Sequence, residues 1–517
     1  MAGQGSSLPQ RLGVVGAGTM GAGIAQLGVG AGMRTVLHDP MEDALSRGME
    51  NVRGGLEKWA ERGREADAQL LEATSELDAL ASCDLVIEAA PERPELKREL
   101  FGALSLLAPD AVLATNTSSI TVTSLASAAA RPESVVGMHF FNPPPVMKLL
   151  EVISADQTGD RALAMAVATG EAMGKRVIRA ADGPGFLVNR CGRPFYTEAL
   201  RLLQERVATH EQIDRICRLG GGFRMGPFEL MDLVGIDVGL EVAKSFTELS
   251  FGEPRWKPNP IQARMVAAGS LGRKAGRGYY DYSAEPYRPE DPQPPEPGGG
   301  DGRIIAVDGS GPLAEALRER ARIAGFDARH PGDLGPDRPE LVVDASVPAP
   351  VSDFGVDDGG PPAIVACADR TLASGGSPEA VGFGLVPPLD GCRLVELTRL
   401  PTTPDSNASA AESFFACLGL QPAWVGDAPG LVLGRLVCAL INEAAFAIGE
   451  GVGSPEDVDA GLTLGLNHPR GPVEWSRALG VDHVLATMDG LWSERREERY
   501  RAAPLLRRCA DLELELG

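Results

Sequence analysis

Short apolar runs alternate with helical-patterned segments along the front of the chain. The runs at 12–15, 85–87, 112–114 and 135–138 are apolar at nearly every position, which is typical of parallel strands buried on both faces. Each run leads into a turn, and this alternation predicts an α/β domain built on a parallel sheet. From about residue 188 to 250 the pattern is helical, which predicts an all-α domain behind the sheet.

The first apolar run leads into the glycine-rich turn GAGTMG and then into a helical segment. Gly16, Gly18 and Gly21 have GxGxxG spacing: the first permits a tight turn, the second lets backbone amides reach a pyrophosphate, and the third lets the helix pack closely. Asp39, 18 residues after Gly21, follows the second apolar run and is placed to bind ribose hydroxyls. Because no arginine follows it at 40–43, NAD is predicted rather than NADP.

The chain contains one unit twice, separated by a Pro/Gly-rich linker at 284–302. When residue n is written beside residue n+245, about a hundred residues match without a gap. VGMHFFNPP at 136 then faces VGFGLVPPL at 381, and DGPGFLVNR at 182 faces DAPGLVLGR at 427. A single register held over this length indicates an internal duplication.

The second copy keeps packing residues and loses polar ones. Its glycine loop, with Gly309, Gly311 and Ala314, lies at an offset of 293, so 48 residues are missing before the offset falls to 245. The missing interval includes the charged, helical-patterned residues 43–81 of the first copy, and Asp308 would repel a pyrophosphate. Four polar positions are replaced: Gly332 stands for Asp39, Gly384 for His139, Pro387 for Asn142 and Gly434 for Asn189. We therefore predict a structural repeat without catalysis.

These patterns predict five segments. A NAD-binding Rossmann domain and an all-α domain come first, and the linker, a degenerate Rossmann-like domain and a second all-α domain follow. The predicted fold class is an α/β Rossmann domain followed by an all-α domain, with both duplicated in shortened, degenerate form. The predicted bounds are 10–183, 184–283, 284–302, 303–428 and 429–517.

Polar side chains follow the predicted strands of the first copy where ligands bind in open α/β sheets, beyond the carboxyl ends of the strands. Ser118, His139 and Asn142 lie at such ends. Glu151, 12 residues after His139, is close enough along the chain to orient its imidazole, which makes His139 the best acid/base candidate. A buried structural histidine is the alternative. Asn189 is a candidate for holding a substrate oxygen, with a helix-packing role as its alternative.

Composition excludes several kinds of partner and site. The 517 residues carry a formal net charge of −22, which argues against nucleic acid or an anionic membrane surface as partner. No apolar stretch is long enough to span a bilayer and no signal peptide is recognisable, so a cytoplasmic protein is predicted. The eight cysteines form no CxxC pair and the six histidines are dispersed, so no metal site is predicted.

Several blocks, in order, closely resemble the 3-hydroxyacyl-CoA dehydrogenases over residues 11–282. They are the GxGxMGxGIA loop, the NTSS turn, HFFNPPPVMKLLEV, DGPGFLVNR, MGPFELMDLVG and GRKAGRGYYDY. The long form with a degenerate second copy resembles bacterial enzymes that act on 3-hydroxybutyryl-CoA or, in phenylacetate breakdown, on 3-hydroxyadipyl-CoA. The resemblance implies an acyl-CoA substrate that is oxidised to a 3-ketoacyl-CoA.

The resemblance also implies roles for individual residues. His139 would be the base and Glu151 its partner, while Ser118 and Asn189 would hold the substrate near the nicotinamide. Arg62 falls on a helical hairpin that grips coenzyme A in the family, although Gly55 replaces a hydroxyl residue there. Beyond the glycines and Asp39, the implied cofactor-binding residues are Thr19, Met20, Glu92, Lys97, Asn116, Ser118 and Asn142.

Two rival functions stay open: a gulonate-type sugar-acid dehydrogenase of the same fold, and a non-catalytic NAD-binding protein. The helical domains of the family pair into dimers, so we expect residues 429–490 to pack on the helices of the first copy as an internal pseudo-dimer. A further homo-oligomer stays open.

Overall fold

A computed structural model describes residues 8–348, 360–375 and 378–517. It divides into two compact units, one formed by the chain up to Arg190 together with Gly451–Leu466, the other by Cys191–Glu450 together with Asn467–Gly517. Within the described ranges, none of the helices combines the length and the apolar character needed to cross a membrane.

The elements of the first copy follow the predicted alternation of strands and helices. The strands are β1 Arg11–Val15, β2 Arg34–His38, β3 Leu71–Thr74, β4 Leu85–Glu88, β5 Val112–Thr115, β6 Val135–Phe140, β7 Leu149–Ser154 and β8 Arg176–Ala181. The helices are α1 Thr19–Gly30, α2 Glu42–Ala60, α3 Pro94–Leu107, α4 Val122–Ala126, α5 Asp160–Ala172, α6 Val188–Gln204, α7 His210–Gly221, α8 Pro227–Val234, α9 Ile236–Leu249 and α10 Pro260–Ala267.

The second copy repeats this order in shortened form. Its strands are β9 Ile304–Asp308, β10 Asp327–Arg329, β11 Leu341–Asp344, β12 Ala363–Ala366, β13 Val381–Gly384, β14 Leu394–Thr398 and β15 Gln421–Trp424. Its helices are α11 Pro312–Ile323, α12 Asp405–Cys417, α13 Leu433–Gly449, α14 Pro455–Gly465, α15 Pro472–Leu479, α16 Val481–Arg495 and α17 Pro504–Asp511.

Each copy forms one mostly parallel sheet. The strand order is β3-β2-β1-β4-β5-β6-β7-β8 in the first and β10-β9-β11-β12-β13-β14-β15 in the second. Among the strands that the structure describes, one pair in each sheet is antiparallel, β6 with β7 and β13 with β14. The carboxyl ends of β1, β4, β5 and β6 lie at one edge of the first sheet, because these strands run parallel. The predicted fold class is confirmed.

The strand register follows the repeat offsets found in the sequence. Leu12 pairs with Thr35 and Ile305 with Ala328, an offset of 293. His139 pairs with Glu151 and Gly384 with Glu396, an offset of 245. Residues 330–340, all described, contain only a short 3₁₀ turn where the first copy has α2 and β3. The loss of that helix and strand accounts for most of the shortening.

The charged segment at 43–81 is helical only in its first half. Helix α2 ends at Ala60 and Gly63 then adopts a φ of +75°, after which β3 forms at the edge of the sheet. None of the four residues of β3 is buried, since two are half-buried and two are exposed, and its sequence LEAT lacks the apolar run that marks the central strands. The prediction of a helical segment throughout 43–81 was therefore wrong beyond α2.

Helices of both copies pack together in the second unit through buried charges. The Arg435 guanidinium in α13 is fully buried and donates to Glu198 Oε2 at 2.9 Å and to Glu205 Oε2 at 2.7 Å. Arg255 of the first copy donates to Glu443 Oε2 of α13 at 2.8 Å. Burying such charges is tolerated because each has an oppositely charged partner at hydrogen-bond distance.

The copies also exchange one helix each. In the first unit Ala181 N, on the edge strand β8, donates to Val452 O just before α14 at 2.8 Å. In the second unit Gly426 N, just after β15, donates to Val207 O before α7 at 2.7 Å. Gly426 lies 245 positions after Ala181, and Val452 lies 245 positions after Val207, so the two contacts are equivalent in the repeat. Each sheet edge is thus covered by a segment of the other copy, which satisfies backbone groups that an edge strand leaves free.

The Pro/Gly-rich linker at 284–302 contains no helix or strand. Its Asp291 accepts two hydrogen bonds from Arg218 of α7, at 3.0 and 2.7 Å. The Tyr287 hydroxyl donates to Glu229 Oε1 of α8 at 2.9 Å. These side chains fasten the proline-containing part of the linker to the first copy's helices.

We predict that replacing Arg435 with alanine lowers the free energy of unfolding of the second unit by about 3–5 kcal/mol, because the buried Glu198 and the half-buried Glu205 lose their nearest cation. Arg399, whose ion pair with Asp405 is exposed, is the matched control, and Arg399→Ala should cost less than about 1 kcal/mol. Urea unfolding followed by circular dichroism measures both. Equal losses in the two variants would contradict the role assigned to Arg435.

Candidate active site

The glycine loop between β1 and α1 has the shape that a pyrophosphate needs. Gly16 has a φ of +100°, and a Cβ there would lie 2.6 Å from the Ala89 carbonyl oxygen. A Cβ on Gly21 would overlap the Gly16 carbonyl oxygen. A Cβ on Gly18, the N-cap residue of α1, would meet nothing within 4 Å. Gly16 and Gly21 are required by the fold. Gly18 leaves open space at a helix N-terminus, where anions are favoured.

Asp39 holds the end of β2 against this loop. Its Oδ2 accepts from Ala17 N at 2.9 Å and its Oδ1 from Met41 N at 3.0 Å. The carboxylate is half-buried, so its remaining lone pairs face outward. The first turn of α1 carries no acidic residue. The residues present therefore fit a dinucleotide: amides for the pyrophosphate and an acid for a ribose.

The repeated loop in the second copy does not fit a pyrophosphate. Asp308 lies at its start and its Oδ1 accepts from Gly309 N at 2.8 Å. Pro312, the first residue of α11, has no N–H to offer a phosphate. Arg318 is half-buried and donates to the Gly309 carbonyl at 2.9 Å. The second loop therefore carries a carboxylate that would repel a phosphate, and it lacks one of the backbone N–H groups of the first loop.

His139 and Glu151 face each other across the antiparallel pair β6–β7. The His139 Nδ1 lies 2.7 Å from Glu151 Oε2, and the Glu151 side chain is fully buried. The other carboxylate oxygen, Oε1, accepts from Leu187 N at 3.0 Å and from Val188 N at 2.9 Å, at the start of α6. Both carboxylate oxygens therefore have hydrogen-bond partners.

This arrangement fixes the tautomer of His139. An ionised Glu151 only accepts hydrogen bonds, so we assign the proton to Nδ1 and the lone pair to Nε2. Nε2 makes no hydrogen bond to any residue that the structure describes. The ring lies 4.8 Å from Phe141 and 5.9 Å from Phe186, measured between centroids. The site thus presents an oriented base between aromatic side chains.

Glu92 organises the NTSS turn after β5. Its Oε1 accepts from the Thr117 hydroxyl and from Ser118 N and Ser119 N, the latter two at 3.0 and 3.1 Å. Burial alone would raise the pKa of Glu92, but the Lys97 ammonium and these hydrogen bonds outweigh it and lower the pKa. The turn is therefore held by an ionised carboxylate.

Lys97 lies behind this turn and is almost completely buried. Its Nζ lies 2.6 Å from Glu88 Oε1 and 3.3 Å from Glu92 Oε2. Sequence reasoning missed Glu88, although an acid that ends an apolar run, nine residues before a lysine, signals such a pair. Lys97 thus supports Glu92 from inside.

The other predicted residues lie at the same strand ends or near them. Ser118 and Asn142 are exposed, and Asn116 Oδ1 accepts from Phe140 N at 2.9 Å, next to His139. Asn189 is half-buried in the first turn of α6, directly after Val188. Thr19 and Met20 form the first turn of α1.

Sequence reasoning also missed the backbone amides of Leu187 and Val188, which hold Glu151. The available signal is the Gly-Pro-Gly turn that precedes them in the sequence.

Arg62 is exposed in the turn that follows α2. A single helix precedes it, and the next regular element along the chain is β3 after a 3₁₀ turn. The helical hairpin that the resemblance implies is therefore replaced by one helix. Arg62 has open surroundings rather than a hairpin groove.

The second copy keeps the glutamate and loses the histidine. Glu396 accepts from Val432 N at 2.7 Å and from Leu433 N at 3.0 Å, at the start of α13. Gly384 faces it, and a Cβ there would lie 3.0 Å from Leu431 Cδ1. Burial raises the pKa of Glu396 to about 7. A leucine side chain thus approaches the place where the first copy carries an imidazole.

A cleft of about 1070 Å³ lies within the second unit beside the start of α7, and none of the predicted site residues lines it. Arg206 and Arg399 line it together with Glu211, Asp405 and Glu412. The opposing charges give no net preference for an anion or a cation. Its size alone does not make it the reaction site.

Comparison with known proteins agrees with this geometry. The NAD-binding domain of 3-hydroxyacyl-CoA dehydrogenase matches residues 11–183, and the C-terminal domain of the same family matches twice, at 185–282 and 430–515. The chain belongs to the 3-hydroxyacyl-CoA dehydrogenase family. NAD as cofactor and an NAD-dependent enzyme of this family are confirmed. The second C-terminal match agrees with the duplication.

Individual relatives cover the chain in two ways. A 3-hydroxyadipyl-CoA dehydrogenase of Escherichia coli (strain K12) is 34% identical over 98% of both chains. A crystal structure of 3-hydroxybutyryl-CoA dehydrogenase from Escherichia coli K12 is similar over 98% of both chains, with a TM-score of 0.77 and 32% identity. A probable 3-hydroxybutyryl-CoA dehydrogenase of Deinococcus radiodurans is 40% identical over its whole length but covers 53% of this chain. The family therefore includes both long and short forms.

We predict that Gly18→Ala weakens NAD binding while the melting temperature stays within a few degrees of the wild-type value. The added methyl meets no protein atom, but it occupies space at the amides that face the pyrophosphate. Gly311→Ala is the matched control, since a Cβ there also meets nothing within 4 Å and its loop does not fit a pyrophosphate. NADH fluorescence titration gives the affinities. Equal loss in both variants would contradict the assignment.

Proposed function

We propose that this chain oxidises a 3-hydroxyacyl-CoA to the 3-ketoacyl-CoA, with His139 as general base and Glu151 as its partner. The contact between His139 Nδ1 and the buried Glu151 carboxylate carries the proposal. A base that removes a hydroxyl proton needs an unprotonated nitrogen and a stabilised imidazolium, and this pair supplies both.

The reaction divides between the protein and its cofactor. His139 Nε2 takes the proton of the 3-hydroxyl while the C3–O bond becomes a carbonyl. NAD⁺, when bound, supplies the acceptor for the hydride that leaves C3. Glu151 then stabilises the positive ring through Nδ1 and keeps it oriented. In the reverse direction the imidazolium returns its proton to the forming alkoxide.

Neutral side chains hold the substrate in this proposal. Ser118 and Asn189 donate hydrogen bonds to the hydroxyl and thioester region, since neither titrates during the reaction. Asn142 supports the loop after β6. Arg62 is assigned to coenzyme A, for which its exposed guanidinium has the right charge.

The cofactor-binding assignments rest on the loop and on the NTSS turn. Asp39 binds the adenosine ribose, and Glu92 lines the nicotinamide side with Lys97 behind it. The remaining residues assigned to NAD are Gly16, Gly18, Thr19, Met20, Gly21, Asn116, Ser118 and Asn142.

We infer that the substrate is a short acyl-CoA of the 3-hydroxybutyryl or 3-hydroxyadipyl type. The support is two matches from Escherichia coli K12 that cover both halves of the chain, a sequence and a crystal structure, one named for each substrate. The two substrates differ at the end of the acyl group, where only the second carries a carboxylate.

We also propose that the chain is divided into the five predicted segments, and that its two all-α segments, 184–283 and 429–517, pair as an internal dimer. Ion pairs between the copies support it: Arg435 with Glu198, and Arg255 with Glu443. Both ion pairs join α13, which lies within residues 429–490, to the helical part of the first copy. A loss below about 1 kcal/mol in Arg435→Ala would count against this arrangement.

We predict that His139→Gln lowers kcat by about 10²–10⁴-fold and leaves the Kd for NADH unchanged, because glutamine keeps the polarity but cannot take a proton at neutral pH. Stopped-flow absorbance of NADH gives kcat and a fluorescence titration gives the Kd. Near-normal turnover would refute the base assignment. Loss of NADH binding would show that the ring is structural.

We predict NADH formation with 3-hydroxybutyryl-CoA or 3-hydroxyadipyl-CoA and none with a gulonate or without substrate. The panel separates the rival functions in one assay. Turnover of the gulonate alone would identify a sugar-acid dehydrogenase. NAD binding without turnover of any substrate would identify a non-catalytic protein. The ratio of kcat/KM between the two acyl-CoAs decides which acyl end the site prefers.

A further inference from the structure

Helix α14 belongs to the second copy but packs on the sheet that carries His139. The segment Gly451–Leu466 lies in the first compact unit. Besides the backbone bond to Val452, Arg179 N of β8 donates to Asp457 Oδ2 in the first turn of α14 at 3.2 Å. Val458 and Leu462 are fully buried beneath the helix. The degenerate half therefore contributes one helix to the catalytic unit.

Glycines in this segment touch the residues whose amides hold Glu151. A Cβ on Gly461 would lie 2.8 Å from Val188 Cγ2, and one on Gly453 would lie 2.5 Å from Leu187 Cδ2. Real Cβ atoms essentially never come this close, so a larger residue at either position forces a shift. Because Gly461 lies inside α14, it costs about 1 kcal/mol of helix stability relative to alanine. The close approach gives that cost a structural reason.

The residues that these glycines contact are linked to the base by hydrogen bonds through Glu151. Leu187 N and Val188 N hold Glu151 Oε1, and Glu151 Oε2 holds His139 Nδ1. A shift of the Leu187–Val188 backbone therefore moves the carboxylate and turns the imidazole. Neither α14 nor its glycines needs to touch the substrate for this to happen.

The other copy offers an internal comparison. Helix α7 packs against β14 in the second unit, as α14 packs against β7 in the first. At the repeat offset of 245, Ile216 stands for Gly461 and Ala208 for Gly453. Both glycines occur only where the glutamate has a histidine to orient.

We propose that α14 is a positioning element for catalysis: its glycines let it lie close enough to fix Leu187 and Val188, and through them Glu151 and His139. This inference rests on the proposed function of His139 as base. It gives the degenerate copy a role in the reaction although its own loop and its own site are incomplete.

The test is Gly461→Ala in the full-length chain. We expect kcat to fall about 10–100-fold, because a small misplacement of the base slows the chemical step, while KM for NAD⁺ and for 3-hydroxybutyryl-CoA stays within about twofold. Adding Val188→Ala to this variant removes the clashing methyl groups and should restore most of the kcat.

Gly221→Ala is the matched control. Its Cβ would lie 2.8 Å from Leu433 Cδ1, and Leu433 stands at the repeat position of Val188 in the copy without a histidine. We expect Gly221→Ala to lower the melting temperature about as much as Gly461→Ala does and to leave kcat unchanged. If Gly461→Ala does not fold, Gly453→Ala replaces it, and we expect a smaller fall in kcat, because the flexible end of Leu187 can move away from the added Cβ.

Three results would overturn the inference: wild-type kcat in Gly461→Ala, equal losses of kcat in Gly461→Ala and Gly221→Ala, or no recovery on adding Val188→Ala. Failure of the proposed function has a different signature. In that case the wild-type chain turns over no 3-hydroxyacyl-CoA, or His139→Gln stays active. An active wild type with an inactive His139→Gln and a normal Gly461→Ala rejects the positioning role alone.

Discussion

The hydrogen bonds of Glu151 are the constraint on which the site depends. A fully buried carboxylate without partners would cost several kcal/mol, so its position is tied to its donors. Those donors are two backbone N–H groups at the start of α6 and the imidazole of His139. The beginning of a helix and the orientation of the base are therefore set by one side chain. Any element that fixes the helix start also fixes the base.

The second copy separates the two tasks of this glutamate. Glu396 still accepts from two amides at the start of α13, although Gly384 offers no ring. The helix-capping task survives when the catalytic partner is lost, which explains why the acid is kept. Burial raises the pKa of Glu396 to about 7, although the two amides at the start of α13 oppose this shift. The histidine of the first copy thus completes a structural cap and turns it into an acid/base pair.

Sequence patterns predicted the parts in which local rules and the fold agree. The central strands, the glycine loop and the repeat offsets were all visible, because buried parallel strands are apolar throughout and a loop around a pyrophosphate needs glycine. Strand β3 was not visible, since its four residues are partly exposed at a sheet edge. The exchange of α14 was missed too, because helical periodicity does not say which sheet a helix covers. Its signal is Gly453 and Gly461, which replace bulkier residues of the first copy.

The central claim is that Glu151 forces His139 into the tautomer with the proton on Nδ1. Nitrogen NMR of histidine-labelled protein measures this directly, with the His139 signals assigned by their absence from His139→Gln. The account predicts a neutral ring protonated at Nδ1, and a mixture of tautomers in Glu151→Gln. A wild-type ring protonated at Nε2 would contradict the account, because it would have no lone pair for the substrate hydroxyl.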